Sequence, residues 1–381
     1  MNIKLGDLCK IQAGGTPSRN ISKYWENGDI PWVKIGDIES KFLNKTTEFI
    51  TKEGLNNSSA KMIEKGSILY TIFATLGEVC ITNIDVTTNQ AIAGLTLRDD
   101  KVDLEYLYYF LKSLHLHVNS IGRGVAQNNI NLTILREFSV PVPNRKKQLE
   151  IANILKVIEN IIESRKKQIQ EYDQLIKSRF VEMFGEVEFN TNSYKLVKYG
   201  DVFELNAGGT PSRRKTEYWE NGTISWIGSN LCQNNIIYEN DGQYITEEGY
   251  KNSSAKLFPI DTVLVALVGA TIGKTALLKF ETTTNQNVLG IRNIRESGFN
   301  PYFVYYYTQG LYNRFINIGG GGFSMASKKF ISDLDIAMVK LEDQNKFAKF
   351  VQQVDKLKFE VQKSLDESQT LFDSLMQEYF G

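Results

Sequence analysis

Ala13-Gly14-Gly15-Thr16-Pro17-Ser18-Arg19 returns 194 residues later as Ala207-Gly208-Gly209-Thr210-Pro211-Ser212-Arg213. Tyr24-Trp25-Glu26-Asn27-Gly28 returns as Tyr218-Trp219-Glu220-Asn221-Gly222, and Trp32 as Trp226. Further on, Asn57-Ser58-Ser59-Ala60-Lys61 is matched by Asn252-Ser253-Ser254-Ala255-Lys256. Thr87-Thr88-Asn89-Gln90 is matched by Thr283-Thr284-Asn285-Gln286, and Met183-Phe184-Gly185 by Tyr379-Phe380-Gly381, an offset of 196. A drift of two residues over the whole length means two copies of one module. They run over residues 1–185 and 194–381, joined by the polar stretch Glu186 to Ser193.

Each copy changes character along its length. Its first 140 or so residues hold β-branched and aromatic runs such as Ser67 to Phe73 and Thr262 to Val268, punctuated by Gly, Asn and Asp, which predict strands. A helix is expected to interrupt them at Leu104 to Leu116, and at Pro301 to Ile316 in the second copy. The last 40 residues switch to helical spacing, as in Leu149, Ile154, Ile158, Ile161, Ile169 and Leu175, and in Phe347, Val351, Val354, Val361, Leu365 and Phe372. The expectation is an α+β chain with globular domains at 1–143 and 194–341, long helices at 144–185 and 342–381, and a linker at 186–193. A helix of about 38 residues is roughly 55 Å long and cannot leave an apolar stripe in water. Two of them bury their stripes most simply as an antiparallel coiled coil, which makes the copies pseudo-two-fold related and the chain nearly circular. The alternative is that each helix packs on its own domain.

Forty-four basic residues balance 44 acidic ones, and 42% of the chain is hydrophobic, which excludes disordered and collagen-like classes. Cys9, Cys80 and Cys232 are odd in number and lack metal-ligand spacing, so a reducing, cytoplasmic setting is expected. No apolar run is long enough for a membrane span. A net charge of zero does not advertise nucleic-acid binding, although segregated charge would still permit it.

Few motifs support catalysis. Gly269-Ala270-Thr271-Ile272-Gly273-Lys274-Thr275 is one residue short of a phosphate-binding loop, and its counterpart, Phe73 to Val79, has glutamate in place of the lysine. Asn300-Pro301-Tyr302-Phe303 reads as a helix start rather than a base-gripping loop, as does Asp103-Leu104-Glu105-Tyr106. His115 and His117 are the only histidines, so no Ser/His/Asp or Cys/His set and no metal site is expected. Polar and basic residues in expected loops are more informative. In the first copy they are Arg19, Lys34, Asn89, Gln90, Arg123, Gln127, Asn128 and Asn129. In the second they are Arg213, Arg214, Asn230, Asn285, Gln286, Ser324, Lys328 and Lys329. Arg, Asn and Gln can read base edges with two hydrogen bonds, while Lys suits phosphates.

The ordered, duplicated set closely resembles the DNA-specificity subunits of type I restriction-modification systems, over essentially the whole chain. Its carriers are Leu5-Gly6-Asp7 with Gly14-Gly15-Thr16-Pro17-Ser18, Ile30-Pro31-Trp32, the Thr-x-Gly turns, Thr88-Asn89-Gln90, and Val140-Pro141-Val142-Pro143 followed by Gln148. The second copy departs at Ala337-Met338-Val339, which lacks the prolines and suggests a looser junction with its helix, though Gln344 matches Gln148. The resemblance implies two target recognition domains that each read half of a split site in double-stranded DNA, with the helices as a ruler. It implies no catalysis and no cofactor on this chain. Two modification subunits would carry S-adenosylmethionine and methylate an adenine in each half-site, and two restriction subunits using ATP and magnesium could join them. Two other readings stay open: the specificity subunit of a fused cleavage-methylation system, and a bivalent protein-interaction adaptor.

Overall fold

A computed structural model of the chain describes residues 1–73, 75–124, 130–294, 298–318 and 325–381, the side chains of 115–124 excepted. The fold is mixed α and β. Four helices organise it: α1 (Leu104–Gly124), α2 (Arg145–Phe184), α3 (Pro301–Gly310) and α4 (Leu341–Phe380). The chain divides into two compact units, one made of Met1–Lys166 with Lys363–Gly381, the other of Lys167–Gln362. Each unit therefore takes part of both 40-residue helices.

Unit 1 is built on a five-stranded sheet ordered Cys9–Ala13, Ile92–Leu97, Ile68–Thr71, Val79–Thr82 and Phe42–Leu43. Unit 2 repeats that order with Phe203–Ala207, Val288–Asn293, Val263–Ala266, Thr275–Leu278 and Asn235–Ile237. The central strands are buried throughout, which is why Ile68–Thr71 and Val263–Ala266 read as continuous apolar runs rather than alternating ones. A smaller sheet in unit 1 pairs Ile30–Val33 antiparallel to Glu48–Ile50 and parallel to Thr87–Thr88. In unit 2 the same core of Ile224–Ile227, Tyr244–Ile245 and Thr282–Thr284 gains the strand Leu257–Phe258.

Where each domain meets its long helix, a buried glutamine ties three backbone segments together. Gln148 accepts from the Asp103 N–H at 2.7 Å and donates to the carbonyls of Lys101 and Pro143 at 3.0 and 2.8 Å. Gln344 does the same with the Asn300 N–H at 2.8 Å and the carbonyls of Gly298 and Val339 at 3.3 and 2.9 Å. The missing prolines of the second copy leave the junction's pairing in place. Leu196–Lys198 pairs with Asp335–Ala337 as Asn2–Lys4 pairs with Ser139–Pro141, and the pairing is extended by Met338 N to Lys195 O at 2.8 Å as by Val142 N to Met1 O at 2.7 Å.

Two sequence boundaries need correction. Helix α1 continues past Leu116 to Gly124. Its counterpart stops at Gly310, where a Cβ would sit 2.9 Å from the Val187 side chain, and resumes as Tyr312–Ile316. Both helices start as expected, with Asp103 and Asn300 accepting from the backbone of Tyr106 and Tyr302.

The helix seats differ in polarity. In unit 1, Phe372 and Phe380 of α4 pack edge-on against Tyr109 and Tyr106 at 6.3 and 5.3 Å, and burying the Phe372 ring contributes about 1.5–3 kcal/mol. Beside them Glu159 is 7% exposed and accepts from Tyr109 Oη at 2.8 Å and from Lys112 Nζ. In unit 2, Phe180 and Phe184 of α2 pack on Phe347 at 5.2 and 5.6 Å, while Gln309 and Asp355 replace the Lys112–Glu159 pair. Among the described residues neither Gln309 Nε2 nor Asp355 Oδ2 finds a hydrogen-bond partner. Burial pushes the Asp355 carboxyl from 3.8 up to about 6, helped by the charge of Asp173 and opposed by Lys358 and Lys279.

A raised carboxyl pKa adds stability below the unfolded value and loses it as pH rises through about 6. Asp355→Asn should therefore raise the thermal midpoint at about pH 7.5 and raise it clearly less at about pH 4.5. Gln344→Ala orphans two carbonyls and one N–H and should cost about 2–4 kcal/mol, read as a lower urea midpoint.

Candidate nucleic-acid interface

The repeated Gly-Gly-Thr-Pro-Ser-Arg stretch forms the rim of the smaller sheet. Gly15 N–H binds Thr88 O at 2.8 Å and Gly209 N–H binds Thr284 O at 2.7 Å, so the loop lies directly on the strand that carries Asn89 and Asn285. A Cβ at Gly15 or Gly209 would come within 2.4 Å of the backbone carbon of Ser59 or Ser254. Only glycine permits that approach.

The loop carbonyls then fix two indoles per copy. Trp32 Nε1 donates to Gly15 O at 3.0 Å and Trp25 Nε1 to Ser18 O at 3.1 Å, and the equivalent bonds from Trp226 and Trp219 are 3.1 and 3.2 Å. The rings meet edge to face, 5.1 Å apart in the first copy and 5.2 Å in the second. Across them lies an arginine, Arg19 at 3.7 Å from Trp25 and Arg213 at 3.4 Å from Trp219. A guanidinium stacked on indole presents its edge donors to acceptors such as a carboxylate, an amide, an anion or a base edge.

On the same rim, Thr16 and Thr210 donate to Gln90 and Gln286 Oε1, both at 2.6 Å. Asn89 and Asn285 Oδ1 accept from the backbone N–H two residues on, both at 3.0 Å. Among the described residues nothing takes the amide donors of Asn89 or Gln90. The structure thus gathers Arg19, Lys34, Asn89 and Gln90 in one unit, and Arg213, Asn230, Asn285 and Gln286 in the other. Arg214 is exposed next to Arg213.

Other expected site residues fall elsewhere. Lys328 and Lys329 begin the short helix Lys328–Ser332, which packs on Tyr199–Val202 and Phe203–Ala207. Gln127, Asn128, Asn129 and Ser324 lie outside the described residues, as do the side chains of Arg123, His115 and His117. The sequence reading also missed partners. Glu48 binds Arg19 at 2.5 Å and Lys34 at 2.9 Å, and these two cations hold its carboxyl below the usual range. Gln243 Oε1 accepts from Arg213 at 2.9 Å. The recurrence of two tryptophans with one arginine was the available signal for this cluster.

The remaining motifs are structural. The Gly269–Thr271 turn feeds the strand Thr275–Leu278 rather than a helix, and Lys274 Nζ is held by Gln233 Oε1 at 2.7 Å, so no phosphate cradle forms. The three cysteines are buried, and burial pushes each thiol up to about 12. Among the described residues no three His, Cys, Asp or Glu side chains are placed to hold a metal, and no helix is long and apolar enough to cross a membrane.

Comparison with known proteins places these features in context. The family described as type I restriction modification DNA specificity domain matches residues 1–172 and again 192–368. The type I restriction enzyme MjaIX specificity subunit of Methanocaldococcus jannaschii is 26% identical over 326 residues, covering 79% of this chain and 74% of that one. The EcoR124I/EcoR124II specificity subunit of Escherichia coli is 27% identical over 191 residues, covering 46% and 47%. Among solved structures, the S subunit of a type I restriction-modification system from M. genitalium aligns with a TM-score of 0.59 at 17% identity, covering 100% of this chain and 96% of that one. A chain from a study of complex assembly and conformational transition of the type I R-M system aligns at 0.62 and 16%, covering 100% and 97%. At such identities the structural likeness speaks for the fold.

Gly209→Ala should lower the thermal midpoint, at a cost on the order of 1–3 kcal/mol, because backbone atoms cannot make room. Gly36→Ala, whose Cβ would meet nothing within 4 Å, should leave it unchanged.

Proposed function

The chain belongs to the family of type I restriction modification DNA specificity domains, matching it twice along its length, and on that premise we propose that its halves select the two parts of one split DNA site. Residues 1–143 and 194–341 are the target recognition domains. The observation that carries this reading is the arginine–tryptophan patch built twice on one chain, with a constant frame and unequal rims. Such a surface suits two readers of different sequences on double-stranded DNA.

The long helices act as the ruler. Forty residues make about 60 Å of helix, enough to set two domains on grooves one or more turns of ~34 Å apart. An antiparallel coiled coil with a pseudo-two-fold relation and a nearly closed chain agrees with the matching seats of Phe184 on Phe303 and of Phe380 on Tyr106. It also agrees with the ion pair between Lys358 of α4 and Asp173 of α2. Both helices keep large apolar residues exposed at matching positions, Ile161 with Leu357 and Leu175 with Leu371. Paired exposure of this kind suits two copies of one partner, the modification subunits.

In this reading the chain itself does no chemistry. S-adenosylmethionine sits on the modification subunits, which methylate an adenine in each half-site, and ATP with magnesium serves restriction subunits where they join. The zero net charge fits a reader whose partners supply many of the phosphate contacts.

The test is methylome sequencing of cells that express the chain with its cognate modification subunit. A bipartite methyladenine motif is expected. Inserting about seven residues, roughly 10 Å, at matching points of α2 and α4 should lengthen the spacer by about three base pairs and keep both half-sites. Methylation by the active complex without any bipartite motif, or with a spacer indifferent to the insertion, contradicts the proposal.

A further inference from the structure

Because the frame is built twice, differences between the copies stand out against a fixed background. The two indole bonds, the Thr–Gln bond and the Asn turn agree between the copies to within 0.1 Å. Several neighbouring positions differ, three of them in concert. The first copy has Lys34, Gly36 and Glu48 where the second has Gly228, Asn230 and Gln243.

These three exchanges are coupled. In the first copy Lys34 and Arg19 share the Glu48 carboxylate. In the second the lysine is gone, the carboxylate has become the Gln243 amide, and Arg213 bonds that amide instead. Space is exchanged together with charge. A Cβ at Gly228 would lie 2.4 Å from Asn230 Oδ1 and 3.9 Å from Asn285 Nδ2, so the missing side chain is what lets the Asn230 carboxamide fold in toward Asn285. At Gly36 nothing lies within 4 Å, which leaves the first copy's rim to the Lys34 side chain.

The three positions and the stacked arginine carry the same net charge in both copies. Arg19 and Lys34 against Glu48 leave one positive charge, and Arg213 with neutral Gly228 and Gln243 also leaves one. The exchange at these positions is thus neutral in charge, while the head group offered to a base edge changes from an ammonium to carboxamides. Phosphate contacts position a protein, and base-edge contacts specify its sequence.

We propose that positions 34, 36 and 48 and their counterparts 228, 230 and 243 form a specificity-determining triad. In the second domain the Asn230 and Asn285 carboxamides select an adenine edge at one half-site position, and in the first the Lys34 ammonium favours a guanine edge. The inference rests on the split-site reading above and adds the residues that make the halves differ.

The experiment grafts the first copy's triad onto the second domain, Gly228→Lys with Asn230→Gly and Gln243→Glu, in the full chain expressed with its modification subunit. Methylome sequencing and selection from a randomised DNA library should keep the first half-site. They should change the preference at one position of the second by about 5- to 150-fold, without a change in the salt dependence of binding. The single variant Asn230→Gly, at an exposed position, should relax that same position and serves if the triple variant does not fold. A second half-site read identically by the wild type and Asn230→Gly overturns the triad. A wild-type methylome without a bipartite motif instead removes the split-site reading beneath it.

Discussion

Each long helix is oriented by one buried carboxamide. Gln148 and Gln344 are 1% and 0% exposed, and each satisfies one N–H and two carbonyls that no strand or helix could reach. A buried polar group with all its partners in place is rigid, because any tilt leaves an unpaired dipole in a low-dielectric setting. The start of α1 or α3, the strand leading to the helix and the helix itself are fixed against one another through it. Everything the helices position inherits that constraint.

The repeat made the double domain legible, and the change of period at Leu149 and Phe347 made the helices legible. The identical strand order of the two five-stranded sheets follows from the first of these facts. Less was readable in the loops. Arg19 and Lys34 stood out as cations, yet their common partner Glu48 is 29 and 14 residues away, brought in by the strand pairing of Trp32 with Glu48. The proline loss at Ala337-Met338-Val339 looked like a weak junction, but strand pairing and Gln344 carry that junction, and neither needs proline. The early end of α3 had one local sign, Gly310, since glycine is a poor helix former.

Duplication also shows which residues are frame. Gly15, Trp25, Trp32, Thr16 and their counterparts keep the same contacts in both copies. The helix seats have diverged beneath that frame: Lys112 and Glu159 form an ion pair in one unit, while Gln309 and Asp355 leave polar atoms unpaired in the other. A buried pair that loses one charge leaves the other exposed to the desolvation cost, and here both members have been replaced by groups that are neutral or close to neutrality near pH 6.

Unit 1 is completed by residues from both ends of the chain, Met1–Lys166 and Lys363–Gly381. During synthesis at about 5–20 residues per second, the intervening stretch takes on the order of 10–40 seconds to emerge from the ribosome. For that interval the seat formed by Tyr106, Tyr109 and Phe110 has no Phe372 or Phe380 to cover it. The aromatic seat of unit 1 is therefore made well before the helix segment that covers it.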